Sequence, residues 1–125
     1  MASRLTEHYY RPAVVLTRSE NMATGSARSV SGFDVYKAVQ SCSDLLENFG
    51  GHMYAAGLTM TEENVEAFTK RFNDYVEEHI DPQILVPQVD IDSELLFSDI
   101  TPQFHRQLNS FQPFGPGNVA PVFVT

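Results

Sequence analysis

The sequence predicts an α/β fold in which helices cover a small mixed β-sheet. Short apolar segments predict strands, two longer segments repeat apolar residues at helical spacing, and the order is strand, strand, helix, strand, helix. The chain has 125 residues, of which 42% are hydrophobic, enough to bury the core of one ordinary domain. We expect that domain at residues 1–82, followed at 83–125 by a connecting segment and the start of a further, incomplete domain.

Three segments predict strands. Residues 13–17 form an apolar, β-branched run directly after a proline, which indicates a buried strand that is either parallel or central. Residues 24–30 predict a second strand made of small residues. A tight turn at Gly50-Gly51 is expected to lead into a third strand that ends near Thr59.

Two segments predict amphipathic helices. In residues 33–49 the apolar positions share one stripe, with Ser31 as the N-cap and Gly50 as the terminator. The second helix is expected to start after Thr61 as N-cap and to stop at Asp81-Pro82. Its buried stripe consists of Val65, Phe68, Phe72 and Val76.

The chain changes character after Pro82. Alternation at residues 89–92 predicts a solvent-facing strand, Thr101-Pro102 opens a short helix, and residues 113–118 form a rigid turn. Residues 121–125 predict a strand that has no partner to pair with. This suggests that the natural polypeptide continues beyond Thr125.

Charge is unevenly distributed along the chain. The net charge is −8, but residues 1–37 carry +2 and residues 38–125 carry −10. A surface that binds nucleic acid would therefore be built from the first third of the chain.

Membrane and redox functions are not indicated. No apolar run approaches the roughly 20 residues that span a bilayer, and the N-terminus lacks the apolar core of a secretory signal, so we expect a soluble, cytoplasmic protein with no membrane partner. The one cysteine, Cys42, allows neither a disulfide framework nor a CxxC motif and is expected to be a small buried hydrophobe.

Two clusters of small residues flank the first predicted helix and could bind an anion. In an extended strand, Ser26 and Arg28 project from the same face and offer a hydroxyl and a planar cationic fork to one phosphate. Gly50-Gly51 lets a ligand approach the backbone, and His52 could donate to a phosphate oxygen or pack on a base. The alternatives are a helix cap and turn, a structural histidine, and an arginine paired with an acid.

These residues also carry a family resemblance that extends over essentially the whole chain. The ordered motifs resemble the DHH-associated domain of the RecJ single-strand-specific exonucleases, and the C-terminal stretch resembles the passage of that family into its OB-fold domain. One departure is Val119, where the family more often has proline. The motifs are Ala2-Ser3-Arg4-Leu5, Tyr10-Arg11-Pro12, Gly25-Ser26-Ala27-Arg28-Ser29, Phe33-Asp34, Leu45-Leu46 with Phe49-Gly50-Gly51-His52, Ala55-Ala56-Gly57-Leu58-Thr59, Phe114-Gly115-Pro116-Gly117-Asn118 and Pro121-Val122-Phe123.

The resemblance implies a 5′→3′ single-strand DNA exonuclease that acts in DNA repair and recombination. A DHH domain of the same polypeptide would hold two Mn²⁺ or Mg²⁺ ions, and this domain would hold the DNA strand. The residues implied in phosphate contact are Arg28 with Ser26 and Ser29, and His52 on the Gly50-Gly51 turn. Arg4 is a further candidate for the same surface.

Catalysis by this chain alone is not expected. His8, His52, His79 and His105 form no metal-binding pattern, and the one close carboxylate pair, Asp90 and Asp92, is typical of a solvated strand face. We therefore expect no catalytic residue, metal or cofactor in the chain itself. Two alternatives remain: the substrate-binding domain of another DHH-family phosphoesterase acting on short oligonucleotides or cyclic dinucleotides, and a non-catalytic protein-docking module.

Overall fold

The computed structural model describes residues 1–115 and 117–125. The chain forms two compact units, Met1–Pro87 and Gln88–Thr125. The division therefore falls after Pro87, a few residues later than the expected division after Pro82.

The first unit is built on a four-stranded sheet. The strands lie in the order β1-β2-β4-β3, and each neighbouring pair is antiparallel. The α/β class is confirmed, but the prediction that residues 13–17 form a parallel or central strand is wrong, because β1 lies at one edge of this sheet. The strands are β1 (Ala13–Ser19), β2 (Met22–Arg28), β3 (Asn48–His52) and β4 (Ala55–Thr61).

Two helices, α2 (Val35–Gln40) and α3 (Val65–His79), cover one face of the sheet and form the core with it. The predicted stripe of the second helix is confirmed, since Phe68 and Phe72 are buried and the flanking valines pack against the core. The predicted stop at Asp81-Pro82 is also confirmed, because α3 ends at His79. Thr61 is not its N-cap: a short 3-10 turn precedes Val65, and the Thr61 side chain makes no capping hydrogen bond.

A third helix, α1 (Ala2–Tyr9), was not predicted from the sequence. It contacts β1 and β2, yet its buried residues, Ala2 and Thr6, lie outside the core cluster. Helix α1 therefore packs on the second face of the sheet. This explains why the edge strand β1 is apolar on both faces, a pattern that suggested an inner strand.

The predicted helix at residues 33–49 is wrong over its second half. Helix α2 begins at Val35 after Asp34, whose carboxylate accepts from the Lys37 backbone N–H at 3.1 Å, so Asp34 and not Ser31 is the N-cap. The helix ends at Gln40, where the Ser41 hydroxyl donates to the Ala38 carbonyl at 2.7 Å. Serine side chains compete in this way with the helical backbone for hydrogen bonds.

A 3-10 turn at Ser43–Leu45 follows α2, and the chain then forms strand β3 instead of continuing the helix. Gly50 and Gly51 therefore lie inside a strand, and their assignment to a helix terminator and a tight turn is wrong. The actual turn is Met53-Tyr54, between the paired residues His52 and Ala55. The apolar residues of this segment have helical spacing, but its backbone hydrogen bonds are made with β4, so the segment forms a strand.

The second unit contains a short helix, α4 (Pro102–Asn109), capped as predicted by Thr101, whose hydroxyl accepts from the Phe104 backbone N–H at 3.1 Å. The strand predicted at residues 89–92 is wrong, because strand β5 covers Ser93–Glu94.

The prediction that the last strand of the chain has no partner is also wrong. Strand β6 (Phe123–Val124) pairs with β5 in parallel. Asp92 supports this pairing, because its carboxylate accepts from the Val122 backbone N–H at 2.8 Å and its own N–H donates to the Val122 carbonyl at 2.9 Å. The turn predicted at residues 113–118 includes Pro116, which lies outside the described residues; on either side of it, Gly115 and Asn118 exchange backbone hydrogen bonds of 2.9 and 3.0 Å.

Candidate nucleic-acid interface

The second face of the sheet carries the residues singled out from the sequence. Successive residues of a strand point to opposite faces, and Ala27, Ala56 and Leu58 point into the core. Their neighbours along the strands therefore point the other way. We call this surface the open face, formed by Met22, Thr24, Ser26 and Arg28 of β2, by Ala55, Gly57, Thr59 and Thr61 of β4, and by Asn48, Gly50 and His52 of β3.

The open face has a charge pattern unlike that of the chain as a whole. None of its side chains is acidic, although the chain contains 16 acidic residues and has a net charge of −8. Its charged group is the guanidinium of Arg28. The strands therefore present no carboxylate to a polyanion on this face, and helix α1, which packs on its β1–β2 side, contributes one acidic residue, Glu7.

Arg28 and His52 are brought together across one strand. Both pair with Ala55 of β4, Arg28 from the β2 side and His52 from the β3 side. Two strand spacings separate their Cα atoms, which is about 10 Å. The two side chains therefore lie on the same face, in one line across the sheet.

A second line across the sheet lies directly beside the first. Ser26 pairs with Gly57, and Gly57 pairs with Gly50. Ser26 stands one side-chain position from Arg28 along β2, as its spacing in the sequence predicts. The hydroxyl of Ser26 is half-buried and makes no hydrogen bond within the part of the chain that the structure describes.

The guanidinium of Arg28 is oriented by the backbone. Its Nη1 donates to the carbonyl of Ala27 at 2.8 Å. The ion pairs found within residues 1–115 and 117–125 are Arg18 with Glu62, Arg71 with Asp44, and His79 with Glu78, so Arg28 has no acidic partner there. The remaining N–H groups of its fork are available to an anionic ligand.

The imidazole of His52 is held in a defined orientation. Its Nδ1 accepts a hydrogen bond from the Tyr54 backbone N–H at 3.3 Å. In the neutral ring the proton is therefore on Nε2, which becomes a hydrogen-bond donor. The side chain is exposed, so Nε2–H can donate to a phosphate oxygen on the open face.

The structure separates Ser29 and Arg4 from this group. Ser29 follows β2, and its hydroxyl donates to the Phe33 carbonyl at 2.7 Å, which braces the loop before α2. Arg4 lies on α1, two residues after the buried Ala2, which places it about 200° around the helix from the side that packs on the sheet.

The glycines near the site have two different roles. Gly51 has a φ of +148°, and a Cβ there would lie 2.2 Å from the Ala55 carbonyl oxygen, so the hairpin itself requires glycine. At Gly50 an added Cβ would meet nothing within 4 Å, and at Gly57 only the Gly25 carbonyl oxygen at 4.0 Å. Packing within the fold therefore does not require glycine at Gly50 or Gly57.

Polar residues that sequence reasoning did not select lie on the same face. Thr24, Thr59 and Asn48 form a third line across the sheet, beyond Ser26 and the two glycines. Thr24 keeps the two-residue alternation of Ser26 and Arg28 and could have been found from it. Asn48 could not, because its segment was assigned to a helix.

Within the part of the chain that the structure describes, no three or more His, Cys, Asp or Glu side chains are grouped so as to hold a metal ion. Asp92 of the carboxylate pair noted above is engaged with Val122. No helix there is long and apolar enough to cross a membrane.

Comparison with protein families gives two matches along the chain. A family model described as the DHHA1 domain matches residues 1–78, and a model described as the RecJ OB domain matches residues 91–125. The first match covers more than half of the chain. The expected OB-like extension after the α/β domain is thereby confirmed.

The chain also resembles curated proteins along nearly its whole length. The single-stranded-DNA-specific exonuclease RecJ of Bacillus subtilis is 36% identical over 97% of this chain, and that of Thermus thermophilus is 33% identical over 99%. This chain spans only 16% and 18% of those two proteins.

Solved structures agree with these matches. The crystal structure of RecJ from Thermus thermophilus in complex with Mn²⁺ superposes with a TM-score of 0.84 and 34% identity, over 98% of this chain and 18% of that one. The complex of the same protein with Mg²⁺ gives a TM-score of 0.83. The described residues offer no group of side chains to hold those ions.

Proposed function

Because the chain belongs to the DHHA1 domain family and matches RecJ over nearly its whole length, we propose that its open face binds the backbone of single-stranded DNA. The observation that carries this proposal is the alignment of Arg28 and His52 on one face of the sheet, where the strands present no acidic side chain. Arg28 supplies a permanent charge and several N–H donors, and His52 supplies the Nε2–H donor. Both groups suit the oxygens of a phosphate.

The other residues of the face have supporting roles in this proposal. The hydroxyl of Ser26 adds a donor beside Arg28, and Gly50 leaves the backbone accessible next to His52. Gly51 acts indirectly, because the hairpin that carries His52 requires glycine at this position. Ser29 acts indirectly by bracing the loop through Phe33. Arg4 is not assigned a phosphate contact, because its position on α1 directs it away from the sheet.

The proposal extends to the longer protein in which such a domain works. There the domain would hold the strand for a 5′→3′ single-strand DNA exonuclease of DNA repair and recombination in the cytoplasm. A DHH domain of the same polypeptide, with Mn²⁺ or Mg²⁺, would perform the hydrolysis. The names of the matching proteins support this extension, as do the Mg²⁺ and Mn²⁺ ions of the matching crystal structures.

The two alternatives have less support. A DHH-family phosphoesterase for short oligonucleotides or cyclic dinucleotides does not account for the RecJ OB match at residues 91–125. A protein-docking module does not account for a sheet face that presents no acidic side chain from its strands and holds an arginine without an ion pair among the described residues, on a chain of net charge −8.

The test is a titration of the chain with a short fluorescein-labelled oligothymidylate, followed by fluorescence anisotropy at several KCl concentrations. We expect weak binding at low salt that weakens as salt rises, because phosphate contacts release counterions. Arg28→Ala should lower the affinity by about tenfold and reduce the salt slope by about one.

Arg18→Ala is the matched control. Arg18 lies on β1 but pairs with Glu62 and points away from the open face, so its removal should leave binding unchanged. Absence of any binding by the native chain at low salt would reject the proposed function. Equal effects of the two arginine substitutions would reject the site.

A further inference from the structure

A shallow depression lies on the open face beyond the residues assigned to phosphate. It has a volume of about 350 Å³, within the usual size range of small-molecule sites. Its polar side chains are those of Thr24, Thr59 and Asn48, and the backbone of Gly50 and Gly57 forms part of its floor. The depression is therefore continuous with the line of Ser26.

The polar groups of this depression are arranged in one line. Thr24 pairs with Thr59 across β2 and β4, and their hydroxyl oxygens are 3.3 Å apart. Asn48 pairs with Thr59 across β3 and β4. Thr24 lies four residues before Arg28 on β2, which places this line about 13 Å from Arg28 along the strand.

The chemistry of the line differs from that of Arg28 and His52. One hydroxyl of the threonine pair can donate to the other, which leaves one hydroxyl hydrogen and several lone pairs free. The amide of Asn48 is exposed and makes no side-chain hydrogen bond within residues 1–115 and 117–125, so it offers two donors and one acceptor. These groups are neutral and match the mixed donors and acceptors of a base, whereas a phosphate is best bound by cations.

The floor between the two regions is open. Gly50 and Gly57 lie between the phosphate residues and the polar line, and a Cβ at either position would fit within the fold. Without side chains at these two glycines, a DNA strand held at Arg28 can continue across the backbone of the sheet toward Asn48 and Thr59.

We propose that Thr24, Thr59 and Asn48 bind the base of a nucleotide neighbouring the one whose phosphate Arg28 and His52 hold. This inference rests on the proposed function and adds a subsite for the neutral part of the DNA. The subsite contributes affinity through hydrogen bonds, and its contribution does not depend on salt.

The test uses Asn48→Ala and Thr59→Val, which remove hydrogen-bonding groups with little change in shape at Thr59. Asn73→Ala and Thr69→Val on α3 are matched controls, because both residues are exposed on the helix that covers the other face of the sheet. Circular dichroism verifies that each variant is folded. Each variant is titrated with oligothymidylate over a range of KCl and, separately, with inorganic polyphosphate, which has charge but neither sugar nor base.

We expect each of the two open-face variants to lower the affinity for oligothymidylate about fivefold, with the salt slope unchanged. The affinity of these two variants for polyphosphate should not change, whereas Arg28→Ala should weaken the binding of both ligands. Unchanged oligothymidylate affinity in both variants would overturn the subsite, as would an equal loss for polyphosphate. If the native chain binds neither ligand, the proposed function itself fails, which is a separate outcome.

Discussion

Arg28 and His52 pair with the same residue, Ala55, from opposite sides of strand β4. This pairing places a guanidinium and an imidazole in one line on the same face, although the two residues are 24 positions apart in the sequence. The antiparallel register produces this arrangement, and neither residue depends on a flexible loop for its position. Rigid placement on strands reduces the entropy that binding would otherwise cost.

The hydrogen bond from Tyr54 to Nδ1 leads to a prediction about His52. The longer side chain of glutamine can place an amide N–H near the position of Nε2. The shorter side chain of asparagine reaches only the position of Nδ1. His52→Gln should keep oligothymidylate affinity within about threefold of the native value, and His52→Asn should lose about tenfold. His79→Gln on α3 is the control. Equal losses for the two His52 variants would mean that Nε2 does not make the contact.

The adjacent glycines should respond differently to alanine. Gly51→Ala should lower the free energy of unfolding by about 2 kcal/mol or more, because its φ of +148° and its distance to Ala55 exclude a side chain. Gly50→Ala should leave the free energy of unfolding unchanged or slightly higher, because an added methyl group has free space. It should still weaken DNA binding, because this methyl group projects into the path of the DNA strand. Urea unfolding and anisotropy measure the two effects. The interpretation is wrong if Gly50→Ala binds as well as the native chain.

The thiol of Cys42 should be inert in the folded protein. The residue is fully buried in the core, and this burial raises the pKa of the thiol despite opposing contributions from Ser41 and Arg71. Reaction with a disulfide reagent near neutral pH should be at least about a hundredfold slower in the native protein than in urea. The control is Ser43→Cys in a Cys42→Ala background, which places the single thiol at an exposed position. This thiol should react at once. Equal rates at the two positions would contradict the buried core around α2.

The elements predicted well from the sequence are those in which periodicity, caps and stops agree. Helix α3 has its apolar stripe at Phe68 and Phe72 and a proline after its end, and strand β4 follows a glycine-rich segment. Residues 41–51 were predicted wrongly because Leu45, Leu46 and Phe49 have helical spacing, whereas Ser43–Leu45 form a single 3-10 turn and the strand that follows pairs with β4. Sequence spacing does not reveal that pairing partner.

The site was predictable only in part for the same reason. Ser26 and Arg28 alternate along one strand, so their common face follows from local geometry. That His52 joins them depends on the register of β3 with β4, which is a tertiary property. The lines of residues through Gly50 and Asn48 also depend on the pairing of β3 with β4, which the predicted helix at this segment excluded.

Binding of DNA to the open face can be observed residue by residue in an amide chemical-shift titration of the ¹⁵N-labelled chain with oligothymidylate at low salt. Binding to the open face predicts the largest changes at Ser26, Arg28, Gly50 and His52, with little change along α3, and reversal on addition of salt. Largest changes along α3, or no change on β2 and β3 at saturating oligothymidylate, would contradict the account.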